Sequence, residues 1–102
     1  MVRGEISADF TPPVSQITEP QHGATLAVGE VTIHGSAADA DGAVGGVEIS
    51  LDGGNRWHPA AGRESWHYRW HAQPGTYTLL CRAVDDSANL ETPSRSITVT
   101  VT

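Results

Sequence analysis

The chain contains no lysine, a single cysteine and only six aromatic residues among its 102 positions. Without lysine there is no Schiff-base chemistry, no phosphate-loop lysine and no Lys–Asn isopeptide cross-link. With Cys81 alone there is no internal disulfide, no zinc thiolate cluster and no redox pair. Positive charge is scarce as well. Six arginines face twelve acids, a formal net charge of -6. Phosphate binding needs a basic stripe, and the arginines here are scattered, so nucleic acid is not an expected partner. No apolar run is long enough to cross a bilayer, which excludes membrane insertion by a helix. The opening Met-Val-Arg-Gly-Glu-Ile-Ser-Ala-Asp-Phe lacks the apolar stretch of a signal peptide, so no export signal is visible. No segment carries a helical period.

What the chain does have is alternation. From Thr76 to Val84, Tyr77, Leu79, Cys81 and Ala83 fall on one face and Thr78, Leu80, Arg82 and Val84 on the other. Both faces are largely apolar, which places this strand centrally. It ends in Asp85-Asp86-Ser87-Ala88-Asn89, short polar side chains that bond their own backbone in turns.

The remaining segments follow the same period. Residues 1–12 show none and read as a linker ahead of a domain spanning 13–102. Val14 and Ile17 lie three apart in the first candidate strand and cannot both face inward, so a bulge or a switch between sheets is expected at an edge. Glu19 to Gly23 reads as a turn, and Leu26 with Val28 as a short apolar pair. Val31, Ile33, Gly35 and Ala37 alternate with Thr32, His34 and Ser36. Val47, Ile49 and Leu51 alternate with Glu48, Ser50 and Asp52 before Asp52-Gly53-Gly54-Asn55, a hairpin turn with Trp57 opening the return strand. Trp66, Tyr68 and Trp70 oppose His67, Arg69 and His71. Pro74-Gly75 turns the chain, and Ile97, Val99 and Val101 alternate with threonines. Seven or eight short strands predict an all-β antiparallel sandwich.

Pro74 to Asp86 resembles the Tyr-x-hydrophobic-x-hydrophobic-x-Ala strand of fibronectin type III and other immunoglobulin-like domains. That resemblance implies that the Tyr77 hydroxyl caps a corner by bonding backbone. From Pro13 to Val101 the chain is similar to bacterial Ig-like domains, which implies a non-catalytic spacer or accessory module of a larger, exported protein, placed outside the cell or in the periplasm. Its partners would be neighbouring domains, another protein or a glycan. A narrower similarity runs through Val47-Glu48-Ile49-Ser50-Leu51-Asp52-Gly53-Gly54, Trp57, Trp66, Trp70 and Arg82-Ala83-Val84-Asp85. It resembles the Ig-like dimerisation domain that follows the molybdenum domain in sulfite oxidases.

Three groups of residues are candidate sites. In an Ig-like sandwich the loops after the second and the organising strands share one end. That would gather Asp39, Asp41, Asp85, Asp86 and Asn89, with Asp9 from the lead-in, as oxygen ligands for calcium. Turn-forming Asx residues account for the same positions with no cofactor. Trp66, Tyr68 and Trp70 could stack sugar rings, which keeps a carbohydrate-binding module as an alternative. A core this small needs its aromatic residues, so core packing is the expectation, with Trp57, Trp66, Trp70, Tyr77 and Cys81 as structural residues. His67 and His71 share a strand face about 13 Å apart and cannot chelate one ion together. His34 or His58 would have to join from another strand, and nothing in the spacing requires it. No nucleophile elbow or paired carboxylates in a cleft can be assembled, so no enzyme is expected.

Overall fold

The computed structural model describes residues 13–39, 43–85, 90–93 and 96–102. Nine strands are present among them: β1 (Val14–Glu19), β2 (Thr25–Leu26), β3 (Gly29–Ala38), β4 (Val44–Ser50), β5 (His58–Pro59), β6 (Ala61–Gly62), β7 (Ser65–Ala72), β8 (Gly75–Asp85) and β9 (Ile97–Val101). They form a four-stranded sheet in the order β1-β3-β7-β6 and a five-stranded sheet in the order β2-β9-β8-β4-β5. The excess over the expected seven or eight comes from β2, β5 and β6. Each has two residues, too few to show alternation.

The pairing is antiparallel except for β2 on β9, where Thr25 and Leu26 run parallel to Thr100 and Val101. That exception follows from how the chain enters the fold. Paired with β3, β1 shifts register between Ile17 and Glu19, and the chain then crosses through a cis Glu19-Pro20 bond to the other sheet. From Val14 to Ile17 the register with β3 is unbroken, so the two residues lie on opposite faces and the expected bulge comes only after Ile17. Ile17 packs on the core while Val14 stays 61% exposed at the sheet edge. Val28 is exposed too, because the chain turns at Gly29 and only Leu26 of that pair reaches the core.

The two sheets bury one continuous core. Ile33 comes from β3, Val47 and Ile49 from β4, Trp66 and Trp70 from β7, and Leu79, Cys81 and Ala83 from β8. Trp66 is the largest fully buried side chain, and its indole N–H donates to the Ser36 carbonyl at 3.1 Å. Satisfying that N–H lets the ring be buried without an orphaned donor. The indole occupies the space over Gly35, where a Cβ would overlap both the ring and the Gln16 carbonyl. Trp70 meets Tyr77 edge to face with ring centroids 4.7 Å apart, joining the sheets at the other end.

Candidate functional site

The outward faces of the two sheets differ in chemistry. On the four-stranded sheet, β3 and β7 turn Glu30, His34, His67, Arg69 and His71 to solvent. On the five-stranded sheet, the outward row of β8 and β4 carries Leu80, Arg82, Val84, Gly46 and Glu48, all half-buried. This second face is the closer of the two in composition to an interface core, where apolar, aromatic and arginine side chains are favoured over lysine and scattered acids.

Its centre is built by register. Glu48 lies opposite Arg82, and the Arg82 Nε donates to Glu48 Oε1 at 2.7 Å. The Arg82 guanidinium also lies 4.0 Å over the Trp57 ring. Trp57 reaches that position because the β4–β5 hairpin folds back, and the hairpin is held by polar side chains. The Ser50 hydroxyl donates to Asp52 Oδ1 at 2.8 Å and accepts the Gly54 N–H at 2.9 Å. Asp52 Oδ1 also accepts the Arg56 N–H at 2.9 Å. The Arg56 amide first, and the Ser50 hydroxyl second, hold the Asp52 carboxyl below its ordinary value of 3.8. Gly53 and Gly54 take φ of 74° and 99°, the left-handed backbone the turn requires. Ser50 is fully buried with its proton and lone pair engaged, so it fixes the turn and is no nucleophile. Beyond Val84, Leu90 bridges to the strand and is 48% exposed, extending the apolar stripe toward one end of the sandwich.

Residues singled out from the sequence lie as follows. The Tyr77 hydroxyl donates to the Gln73 carbonyl at 2.8 Å, four residues upstream at the entry to β8. Trp66 and Trp70 face the core, and Tyr68 is half-buried and stacked on His58 at 5.6 Å, so this row presents no open platform for sugar rings. Trp57 stands outside the core, on the outward face. Cys81 is fully buried. Of the proposed calcium ligands, Asp41, Asp86 and Asn89 lie outside the described residues, as does Asp9. Asp39 follows β3 and Asp85 ends β8, and the chain leaving Asp39 re-enters the other sheet at Val44, opposite Asp85. Neither residue is without a partner in the fold. Among the described residues, no group of three His, Cys, Asp or Glu is placed to hold a metal.

Sequence reading missed Glu91. Its carboxylate accepts the Ser15 N–H at 3.0 Å, the Ser15 hydroxyl at 2.6 Å and the Ala83 N–H at 2.9 Å. Its own N–H donates to the Ala83 carbonyl at 2.9 Å. Ser15 is on β1 and Ala83 on β8, so one side chain ties the edge of one sheet to the centre of the other. The Ser15 hydroxyl, whose one proton goes to the carboxylate at 2.6 Å, also lies 3.3 Å from the Cys81 sulfur. An acid between Leu90 and Thr92-Pro93 has no period to mark it.

The sequence model of the bacterial Ig domain family matches residues 13–80. The chain is a bacterial Ig domain. This Ig domain is 39% identical over 95 residues to the mitochondrial sulfite oxidase of Mus musculus, a match that covers 78% of the chain and 17% of that enzyme. The sulfite oxidase of Gallus gallus is 34% identical over 97 residues, covering 81% of the chain and 21% of the enzyme. The Ig domain therefore spans about a fifth of the curated relatives it matches. Among solved structures, the fibronectin(III)-like modules of Clostridium thermocellum CbhA superpose with a TM-score of 0.74 at 26% identity, covering 86% of this chain and 96% of that one. The sulfane dehydrogenase SoxCD of Paracoccus pantotrophus gives 0.66 at 28% identity, covering 78% of this chain and 23% of that one.

Proposed function

We propose that this Ig domain is a non-catalytic docking module of a larger sulfite-oxidase-like protein, and that it self-associates through the outward face of its five-stranded sheet. The observation that carries the reading is the 39% identity to a sulfite oxidase, confined to 17% of that enzyme. The match to a sulfane dehydrogenase structure over 23% of its chain points the same way. The reading assigns the domain no cofactor of its own. Its mechanism is packing: Leu80, Val84 and Leu90 supply apolar area around the Arg82–Trp57 stack, and an arginine already lying on an aromatic ring loses little freedom on docking.

Sedimentation velocity over a range of concentrations tests it. A concentration-dependent dimer is expected, and Val84→Arg should abolish it while leaving the melting temperature within a few degrees. A chain that remains monomeric at its highest soluble concentration would overturn self-association.

A second reading draws on the superposition with the CbhA fibronectin(III)-like modules, at 26% identity over nearly all of that chain. In it the domain is a spacer in an exported multidomain protein, touching only its neighbours in the chain. That reading expects the monomer.

A further inference from the structure

On the opposite side of the sandwich, the outward face of the four-stranded sheet brings together two histidines that are 33 positions apart in sequence, His34 on β3 and His67 on β7. They are direct partners in the antiparallel register, and their ring centroids lie 6.3 Å apart with the planes inclined at 42°. Both side chains are exposed. We propose that His34 and His67 form a two-histidine site for a late first-row divalent ion such as Ni²⁺, Cu²⁺ or Zn²⁺.

The geometry is close to what chelation needs. With each nitrogen about 2.1 Å from the ion, two imidazoles have centroids roughly 5.3 Å apart at the tetrahedral angle of zinc and roughly 4.6 Å apart at the right angle of nickel and copper. The rings therefore have to close by about 1 to 2 Å, a movement within reach of χ1 and χ2 rotation in exposed side chains. Facing residues of neighbouring strands hold their Cβ atoms about 5 Å apart, so the sheet sets the spacing before any ion arrives. Imidazole suits nickel, copper and zinc and does not suit calcium or magnesium, whose preference is oxygen. The acidic character of the chain, -6 overall, attracts cations to its surface. Among the described residues no third His, Cys, Asp or Glu completes the set, so solvent would fill the remaining positions. His71, four residues along β7 from His67, faces Glu30 instead and lies too far along the strand to join.

Because the two ligands come from different strands, the chelate exists only in the folded register, and the ion should stabilise the fold in proportion to its concentration. Once one imidazole has bound, the second acts at high effective concentration, so losing either should weaken binding by about 100-fold. The test is calorimetric titration of the whole chain with nickel chloride, with melting curves at each concentration. One ion per chain and a rising melting temperature are expected. His34→Asn and His67→Asn should each remove both effects, whereas His71→Asn should remove neither. Copper(II) added in trace amounts should broaden the ring signals of His34 and His67 in the NMR spectrum before those of His58 and His71. Equal loss from His71→Asn, full binding by either pair variant, or uniform broadening of all histidines would overturn the site.

Discussion

Glu91 is the side chain whose loss should hurt most for its size. Its carboxylate receives two backbone N–H groups and one hydroxyl, from strands in different sheets. Hydrogen bonds to a charged acceptor are the stronger ones, and a partly buried donor left without a partner costs about 1 to 3 kcal/mol. Glu91→Ala orphans the amides of Ser15 and Ala83 together, so a loss of roughly 2 to 4 kcal/mol is expected, a large share of the stability of a domain this size. Glu91→Gln keeps one acceptor oxygen and should fall between the two. Urea unfolding at neutral pH measures both. A change below about 0.5 kcal/mol for Glu91→Ala, the range of an ordinary surface substitution, would show that the latch is not needed.

Among the strands, β3 and β7 carry the most demanding contact, because the Trp66 indole is laid across the backbone of β3. The site over Gly35 has no room for a methyl group, since a Cβ would meet both the ring and the Gln16 carbonyl of β1. Gly35→Ala therefore has to displace the largest fully buried ring or break the β1–β3 pairing, and a loss of about 3 kcal/mol or more is expected. Gly46→Ala on β4 is the matched control, as its Cβ would meet only Val84 Cγ1 at 3.9 Å. If thermal unfolding shows equal effects for the two, the close approach is not what requires glycine. The sequence identified Gly35 only as a member of an inward-facing row, Val31 to Ala37. Strand existence and facing were legible because burial on one side imposes a period of two. Which residue of β7 lies over Gly35, or that His34 faces His67, depends on register, and a single strand carries no record of its partner's register. The two-residue strands were illegible for a simpler reason, since two residues cannot alternate.

At the scale of the molecule, the all-β class could be read directly from the chain, whereas the make-up of the outward face of the five-stranded sheet could not. The apolar outward side of β8 was visible as Leu80 and Val84, yet its meaning depends on a hairpin folding Trp57 onto Arg82, which only the assembled sheet produces. The same assembly makes Cys81 a reporter of the whole fold. It is fully buried between the sheets, beneath Ser15 and the Glu91 latch. A thiol there reacts with a soluble disulfide reagent only when the sandwich opens. Labelling should be slow, and its denaturant dependence should match that of global unfolding if β1 and β8 part only as the core does. Glu91→Ala should then accelerate labelling by about thirtyfold or more, the factor that corresponds to a loss of roughly 2 kcal/mol. Rapid labelling with little denaturant dependence would give the opposite picture. It would mean that β1 detaches alone, with Glu91 latching an edge strand while the remaining sheets stay closed.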